Sequence, residues 1–241
     1  MKELIRNCQH HGHHYTSFLV KEGGEIAFVE KKAFNKDGVA DLSREGRGLE
    51  WYCRKANKDP ADVIDSFAKT EKYCKLVIRY HDGEEVRTPV DPDSVKDKTR
   101  IAVEHYLDVF GSDDFKFSHG DYSIENMIYG DNKVVWIIDW EHFNDKLPAG
   151  YDAVNCIVES FLFWHGRKKA PTRSSVETAK ELLTKVSEKA ALPEEVLRSP
   201  SLWCRKTALE YKDIWGEQHK KLSHVDYSEE RCAEIDRIIG L

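Results

Sequence analysis

Apolar and polar residues alternate along "YTSFLVKEGGEIAFVEKKAF" (15–34) on both sides of a Glu-Gly-Gly-Glu turn, whose glycines supply the positive-φ positions of a tight hairpin. The pattern predicts an antiparallel pair of strands. In "DLSREGRGLEWYCRKAN" (41–57) apolar or aromatic side chains recur at 42, 49, 52 and 53, behind a capping Asp41 or Ser43, so the period becomes that of a helix. Gly46 and Gly48 each weaken that helix by roughly 1 kcal/mol. Two further β-prone runs flank "HDGE" within 74–90, and Pro89 and Pro92 punctuate the next stretch of chain.

Ile101, Val103, Tyr106, Leu107 and Phe110 predict a helix over 94–110. Short apolar runs come next, "FKFS", "NMIYG" and "KVVWIID", and the polar loop and "GDN" turn between them predict strand, loop, strand, turn, strand. The remainder is helical in pattern, over about 153–166, 174–190, 193–216 and 228–239. Pro171, Pro193 and Pro200 mark the joints, Pro193 being suited to a helix's first turn. A strand-rich first third with one helix, then a mostly helical remainder with a small β insert, makes an α+β chain of two lobes. The expected lobes are residues 1–85 and 86–241, with the junction between about 82 and 93.

Composition narrows the class. The 241 residues are 40% apolar, 33% charged and 11% aromatic with six Trp, which is the make-up of a folded globular protein. No internal repeat is visible. A formal charge of −6 argues against a surface built to neutralise a nucleic-acid backbone. The six cysteines include no CxxC pair, and the N-terminus lacks the apolar run of a secretion signal, so reduced thiols in a cytoplasmic protein are expected. The longest apolar runs, such as 134–138, fall far short of the ~20 residues that span a bilayer, and no transmembrane segment is expected.

The chemistry concentrates in "HGDYSIEN" (119–126) and "DWE" (139–141). Asp121 and Asn126 sit on a loop between apolar strands, and Asp139 comes after the run "VVWII", positions where a rigid scaffold holds polar groups. Carboxylate and carboxamide oxygens are hard ligands suited to Mg²⁺, which takes one or two protein groups together with substrate phosphates. Asn126 and Asp139 can hold such an ion while Asp121 takes up or orients a hydroxyl proton. His-x-Asp, then four residues and Asn, then an acidic residue at a strand end eighteen positions after the first Asp, is the spacing of a kinase catalytic loop and its metal-binding Asp.

"HGDYSIEN", then "IIDWE", then "GYD" resembles the aminoglycoside phosphotransferase and choline kinase group of small-molecule kinases, which share the protein-kinase-like fold. The resemblance implies an antiparallel-sheet N-lobe with one helix that binds nucleotide, and a helical C-lobe for catalysis and substrate. It implies Asp121 as catalytic base, Asn126 as a Mg²⁺ ligand, Asp139 as the main Mg²⁺ ligand, and His119 as a brace of the loop. Asp152 in "GYDAVN" resembles the group's helix-starting Asp, with the role of an N-cap.

Such a kinase also needs a lysine on its third strand for the nucleotide phosphates and a glutamate on the next helix to hold it. "IAFVEKK" offers Lys31 and Lys32. Period-2 alternation puts Val29 and Lys31 on one face and favours Lys31, and a one-residue slip selects Lys32. "SREGRGLEWY" resembles the group's Glu, Leu, aromatic run and selects Glu45, with Glu50 as the fallback. The phosphate-covering loop falls on "QHHGHHYTS", where Gly12 stands in place of a G-x-G-x-x-G. Its histidines at 10, 11, 13 and 14 read as a polar flap rather than a metal site, since no Cys or carboxylate lies at partner spacing. The run "HGRKK" (165–169) reads as a solvated helix end, and Trp203, Tyr211 and Trp215 read as core, with an aromatic cage for an amine as the alternative.

The resemblance thus implies an ATP- and Mg²⁺-dependent kinase acting on a hydroxyl of a small molecule of the aminoglycoside, amino alcohol or sugar type. Only twelve residues separate Asp139 from Asp152, no A-P-E comes after, and Gly120 replaces the Arg of H-R-D, so a phosphorylated activation segment has neither room nor partner. A protein or lipid/lipopolysaccharide kinase and a nucleotide-binding pseudokinase scaffold are the alternatives. "IDWEHF" with "GYDAVN" leans toward choline or ethanolamine kinases, and "HGD" toward aminoglycoside or sugar kinases.

Overall fold

The computed structural model describes residues 2–7, 14–86, 91–110, 116–166, 171–216 and 228–241. The chain divides into one unit of Met1–Asp82 with Asp139–Asn144 and another of Gly83–Ile138 with Asp145–Leu241.

The first unit is built on five antiparallel strands, β1 (Lys2–Asn7), β2 (Tyr15–Glu22), β3 (Glu25–Ala33), β4 (Ile64–Lys69) and β5 (Cys74–Arg79), in the order β1-β2-β3-β5-β4. β2 and β3 form the hairpin that the alternation predicts, paired from Tyr15↔Ala33 to Glu22↔Glu25. The runs flanking "HDGE" do not pair with each other. β5 is a central strand carrying Leu76, Val77 and Ile78 between β3 and β4, while β6 (Glu84–Glu85) pairs with β7 (Met127–Gly130) of the second unit's sheet. β4 has no buried residue and no apolar alternation, and so carries no strand signal.

One helix, α1 (Lys36–Lys55), packs on this sheet. It starts earlier than expected because Asn35 is the cap, its side chain accepting from the Gly38 N–H at 2.8 Å, and Asp41 instead pairs with Arg44 at 2.5 Å. Its buried face includes Val39, Leu42, Glu45, Leu49 and Tyr52. The 3-10 turn Trp140–His142 packs on the same helix, with the Trp140 ring centroid 5.4 Å from that of Tyr52. This contact explains one of the helix glycines: a Cβ at Gly48 would lie 2.8 Å from Trp140 Cε3 and 3.0 Å from Phe143 Cβ. At Gly46 an added Cβ would meet only Phe67, at 3.4 Å. Gly48→Ala is therefore expected to destabilise by about 1–3 kcal/mol through overpacking. Gly46→Ala should instead stabilise by up to about 1 kcal/mol through helix propensity. Denaturant unfolding of the two variants checks this, and equal responses would contradict the packing account.

The second unit contains, among the described residues, a three-stranded sheet, β6-β7-β8 with β8 at Lys133–Ile137, and six helices: α2 (Pro92–Phe110), α3 (Tyr151–Gly166), α4 (Arg173–Ala190), α5 (Glu194–Arg198), α6 (Pro200–Glu210) and α7 (Glu229–Ile239). The expected strand at "FKFS" is reduced to a bridge at Ser118, because the next two backbone N–H groups bond to a side chain of α3 rather than to a strand. The helix expected over 193–216 breaks at Ser199, where Pro200 opens α6 at its first turn, and it ends in a 3-10 turn at Lys212–Ile214. Asp236 of α7 accepts from the N–H groups of Ser201 at 2.7 Å and Leu202 at 3.1 Å, tying the last helix to the start of α6. Among the described residues no helix is long and apolar enough to cross a membrane.

Candidate active site

In the first unit, strand alternation sends the two lysines to opposite faces of β3. Lys32 lies on the face of Glu30, 2.9 Å from its carboxylate, with its ammonium over the Phe18 ring. Lys31 points the other way and is buried, 6% exposed, donating to Glu45 Oε1 at 2.6 Å and Asp139 Oδ1 at 2.9 Å. Glu45 is 1% exposed on the buried face of α1, one turn from Leu42 and Leu49. Glu50, the fallback, is a solvated charge 4.0 Å from Arg54. Asp139 adopts the left-handed conformation, φ 59° and ψ 56°, just beyond β8, a region that Asp tolerates better than most residues.

Around this lysine the charge is unbalanced. Burial alone would lower the Lys31 pKa, but Asp139, Glu45 and Glu141 outweigh it and hold the ammonium protonated, well above its ordinary range. Burial pushes the Glu45 carboxyl up to about 7, the lysine's attraction opposing it and the Asp139 charge adding to it. Glu45 Oε2 is buried without a hydrogen-bond partner among the described residues. Two residues without a role in the sequence-based site complete the cluster: Tyr15 donates its hydroxyl to Glu141 Oε2 at 2.5 Å, and its ring lies under the lysine, 5.2 Å from ammonium to centroid. Glu141 closes the "DWE" stretch and was within reach of sequence reasoning, but Tyr15 carries no signal beyond its place in a strand.

In the second unit, "HGDYSIEN" is held by its own backbone contacts. His119 is 0% exposed, and its Nε2 lies 2.9 Å from the Ile138 carbonyl while its Nδ1 lies 3.3 Å from the Asp121 N–H. A carbonyl only accepts and a peptide N–H only donates, which places the imidazole proton on Nε2. Asp152 is the second residue of α3, and its carboxylate accepts from the N–H groups of His119 at 2.6 Å and Gly120 at 3.0 Å. The N-cap role expected of Asp152 is thus replaced: its carboxylate serves the backbone of His119 and Gly120 rather than its own helix, and burial pushes its carboxyl up to about 7 against those two bonds. Gly120 has φ 86°, a conformation that would strain the Arg of an H-R-D loop. Asn126 donates from Nδ2 to Asp121 O at 2.8 Å and to Asp121 Oδ2 at 2.9 Å. The amide nitrogen is thereby committed to Asp121, leaving Oδ1 as the amide's donor atom toward a cation.

Trp215 donates its indole N–H to the Gly120 carbonyl at 2.7 Å, and with Trp203 it flanks Tyr151 at ring centroid distances of 6.0 and 5.8 Å. Tyr211 makes no such ring pair with them among the described residues. Gly12, His10, His11, His13 and Arg167–Lys169 lie outside the described residues. No group of three or more His, Cys, Asp or Glu able to hold a metal ion occurs among the described residues.

No protein-family model matches the chain, and no curated protein matches it in sequence. Among solved structures it is similar to the gentamicin complex of APH(2")-IIa, at 11% identity over 97% of this chain and 93% of that one, with a TM-score of 0.51. It is also similar to a thermostable mutant of aminoglycoside phosphotransferase APH(4)-Ia in its apo form, at 12% identity over 98% and 94%, with a TM-score of 0.52. The antiparallel sheet with its single helix, the small second sheet and the helical remainder therefore make up the α+β, protein-kinase-like fold of the aminoglycoside phosphotransferases.

Proposed function

We propose that the chain is an ATP- and Mg²⁺-dependent phosphotransferase that moves the γ-phosphate to a hydroxyl of a small molecule of the aminoglycoside, amino alcohol or sugar type. The observation that carries this reading is the buried Lys31–Glu45 pair at 2.6 Å, with Asp139 as the lysine's second partner. A buried ammonium among three carboxylates is an expensive arrangement, of the kind that functional sites retain.

In the proposed reaction Lys31, held by Glu45, grips the nucleotide phosphates. Asp121 orients the acceptor hydroxyl and accepts its proton as the oxygen attacks the γ-phosphorus, and the bond from that phosphorus to the β–γ bridging oxygen breaks, releasing ADP. Asn126 and Asp139 would hold Mg²⁺, which when bound neutralises charge on the phosphate oxygens. Both offer hard oxygen donors, and the commitment of the Asn126 amide nitrogen to Asp121 leaves the right atom for the task. The proposed use of ATP, together with five buried free cysteines among the described residues, supports a cytoplasmic setting. Because APH(2")-IIa is solved with gentamicin, aminoglycosides come first among the acceptors to test.

The purified chain is expected to melt at a higher temperature with Mg-ATP, and to consume ATP with at least one member of a panel of aminoglycosides, amino alcohols, sugars and lipopolysaccharide precursors. Nucleotide binding with no turnover on any acceptor would replace this reading with a scaffold. Turnover on protein or lipid acceptors alone would make it a kinase of those classes.

A further inference from the structure

We infer that Trp215 is a positioning residue that locks the Gly120–Asp121 peptide plane, and with it the direction of the Asp121 carboxylate; this rests on the phosphotransferase reading above. That one peptide unit is tethered at both of its polar atoms. Its carbonyl accepts from Trp215 Nε1 at 2.7 Å, and its N–H points to His119 Nδ1 at 3.3 Å. The second contact is long, so the indole bond is the stronger tether. Gly120 has no Cβ and sits at φ 86°, so rotation of this plane meets little steric resistance from the glycine itself.

Where no opposite turn at the Asp121 N–Cα bond offsets it, such a rotation would reverse the carbonyl and swing the Cα–Cβ bond of Asp121, the residue whose oxygen has to face a hydroxyl in the proposed reaction. The other contacts of the loop act on either side of this plane. Asp152 fixes the N–H of Gly120, one peptide earlier, and Asn126 binds the carbonyl and carboxylate of Asp121, downstream of the hinge. Trp215 is 3% exposed, so water cannot readily replace its N–H, and a flipped plane would leave both the carbonyl and the indole without partners in a buried place. Its ring is itself fixed against Tyr151, the first residue of α3, which places the donor on a rigid support.

Trp215→Phe keeps an aromatic ring, removes the donor and gives up the volume of the indole's second ring. In acceptor-independent hydrolysis of Mg-ATP, where water takes the place of the hydroxyl, the variant is expected to lose about tenfold to a hundredfold in kcat while its KM for ATP is unchanged. A loss confined to KM, or an unchanged kcat in a folded protein, would overturn the assignment. In the wild-type protein, ¹H–¹⁵N spectra assigned without recourse to the variant should show the Trp215 indole proton exchanging slowly with water and shifting on Asp121→Asn. A fast-exchanging, unshifted indole would overturn the clamp even if Trp215→Phe failed to fold. Wild-type protein that turns over no ATP with water or with any acceptor of the panel would instead sink the phosphotransferase reading, and the indole spectrum would still decide whether the clamp exists.

Discussion

Asp121→Asn is expected to reduce phosphoryl transfer by about 10²–10⁴-fold while leaving Mg-nucleotide affinity largely intact. The substitution is nearly isosteric, and the backbone bonds of the loop do not involve the carboxylate: His119 and Gly120 donate to Asp152, and the Gly120 carbonyl accepts from Trp215. What is lost is the basicity that takes the acceptor's proton, a group that a carboxamide cannot replace. The phosphate grip proposed for Lys31 rests on its bond to Glu45, which the substitution leaves in place. The check is a coupled ATP-consumption assay beside a nucleotide titration. Transfer retained at the wild-type rate would remove Asp121 as the base, and a parallel fall in nucleotide affinity would mean that the loop had rearranged.

The parts of this site legible in the sequence are those fixed by local periodicity. Two-residue alternation is enough to put Lys31 on the inner face of β3 and Lys32 on the outer, and helical spacing is enough to put Glu45, not Glu50, between buried leucines. Where local signals fail, a distant partner or the absence of pattern is responsible. The start of α1 is set by Asn35, which precedes the apolar run that makes Asp41 look like the cap. β4 is silent in the sequence because its side chains face solvent, and "HDGE" imitates a hairpin because β6 finds its partner forty-odd residues downstream in β7. Asp152 resembles a cap by its place in the helix, yet its carboxylate serves backbone groups 32 and 33 residues away. Trp215 is 95 residues from Gly120, and no spacing rule connects an indole to a loop carbonyl at that range.

Asp139→Ala should weaken Mg-nucleotide binding by more than about tenfold, a loss of at least ~1.4 kcal/mol, without destabilising the fold. Removing this carboxylate leaves Lys31 paired to Glu45 at 2.6 Å, so the buried ammonium keeps a partner. It also removes a like charge that helps to raise the Glu45 pKa, so Glu45 should become easier to ionise and the pair should tighten. Asp139 is itself 25% exposed at the side chain, so its loss opens no sealed cavity. Thermal unfolding should therefore stay level or rise slightly while affinity measured with Mg²⁺ falls. Affinity measured in a chelator should change little, because the Lys31 grip on the phosphates does not depend on the ion. Unchanged binding with Mg²⁺ would mean that the metal is held elsewhere. A loss of equal size with and without Mg²⁺ would mean that Asp139 acts through Lys31, and the lysine's second contact, rather than the ion, would then be its purpose.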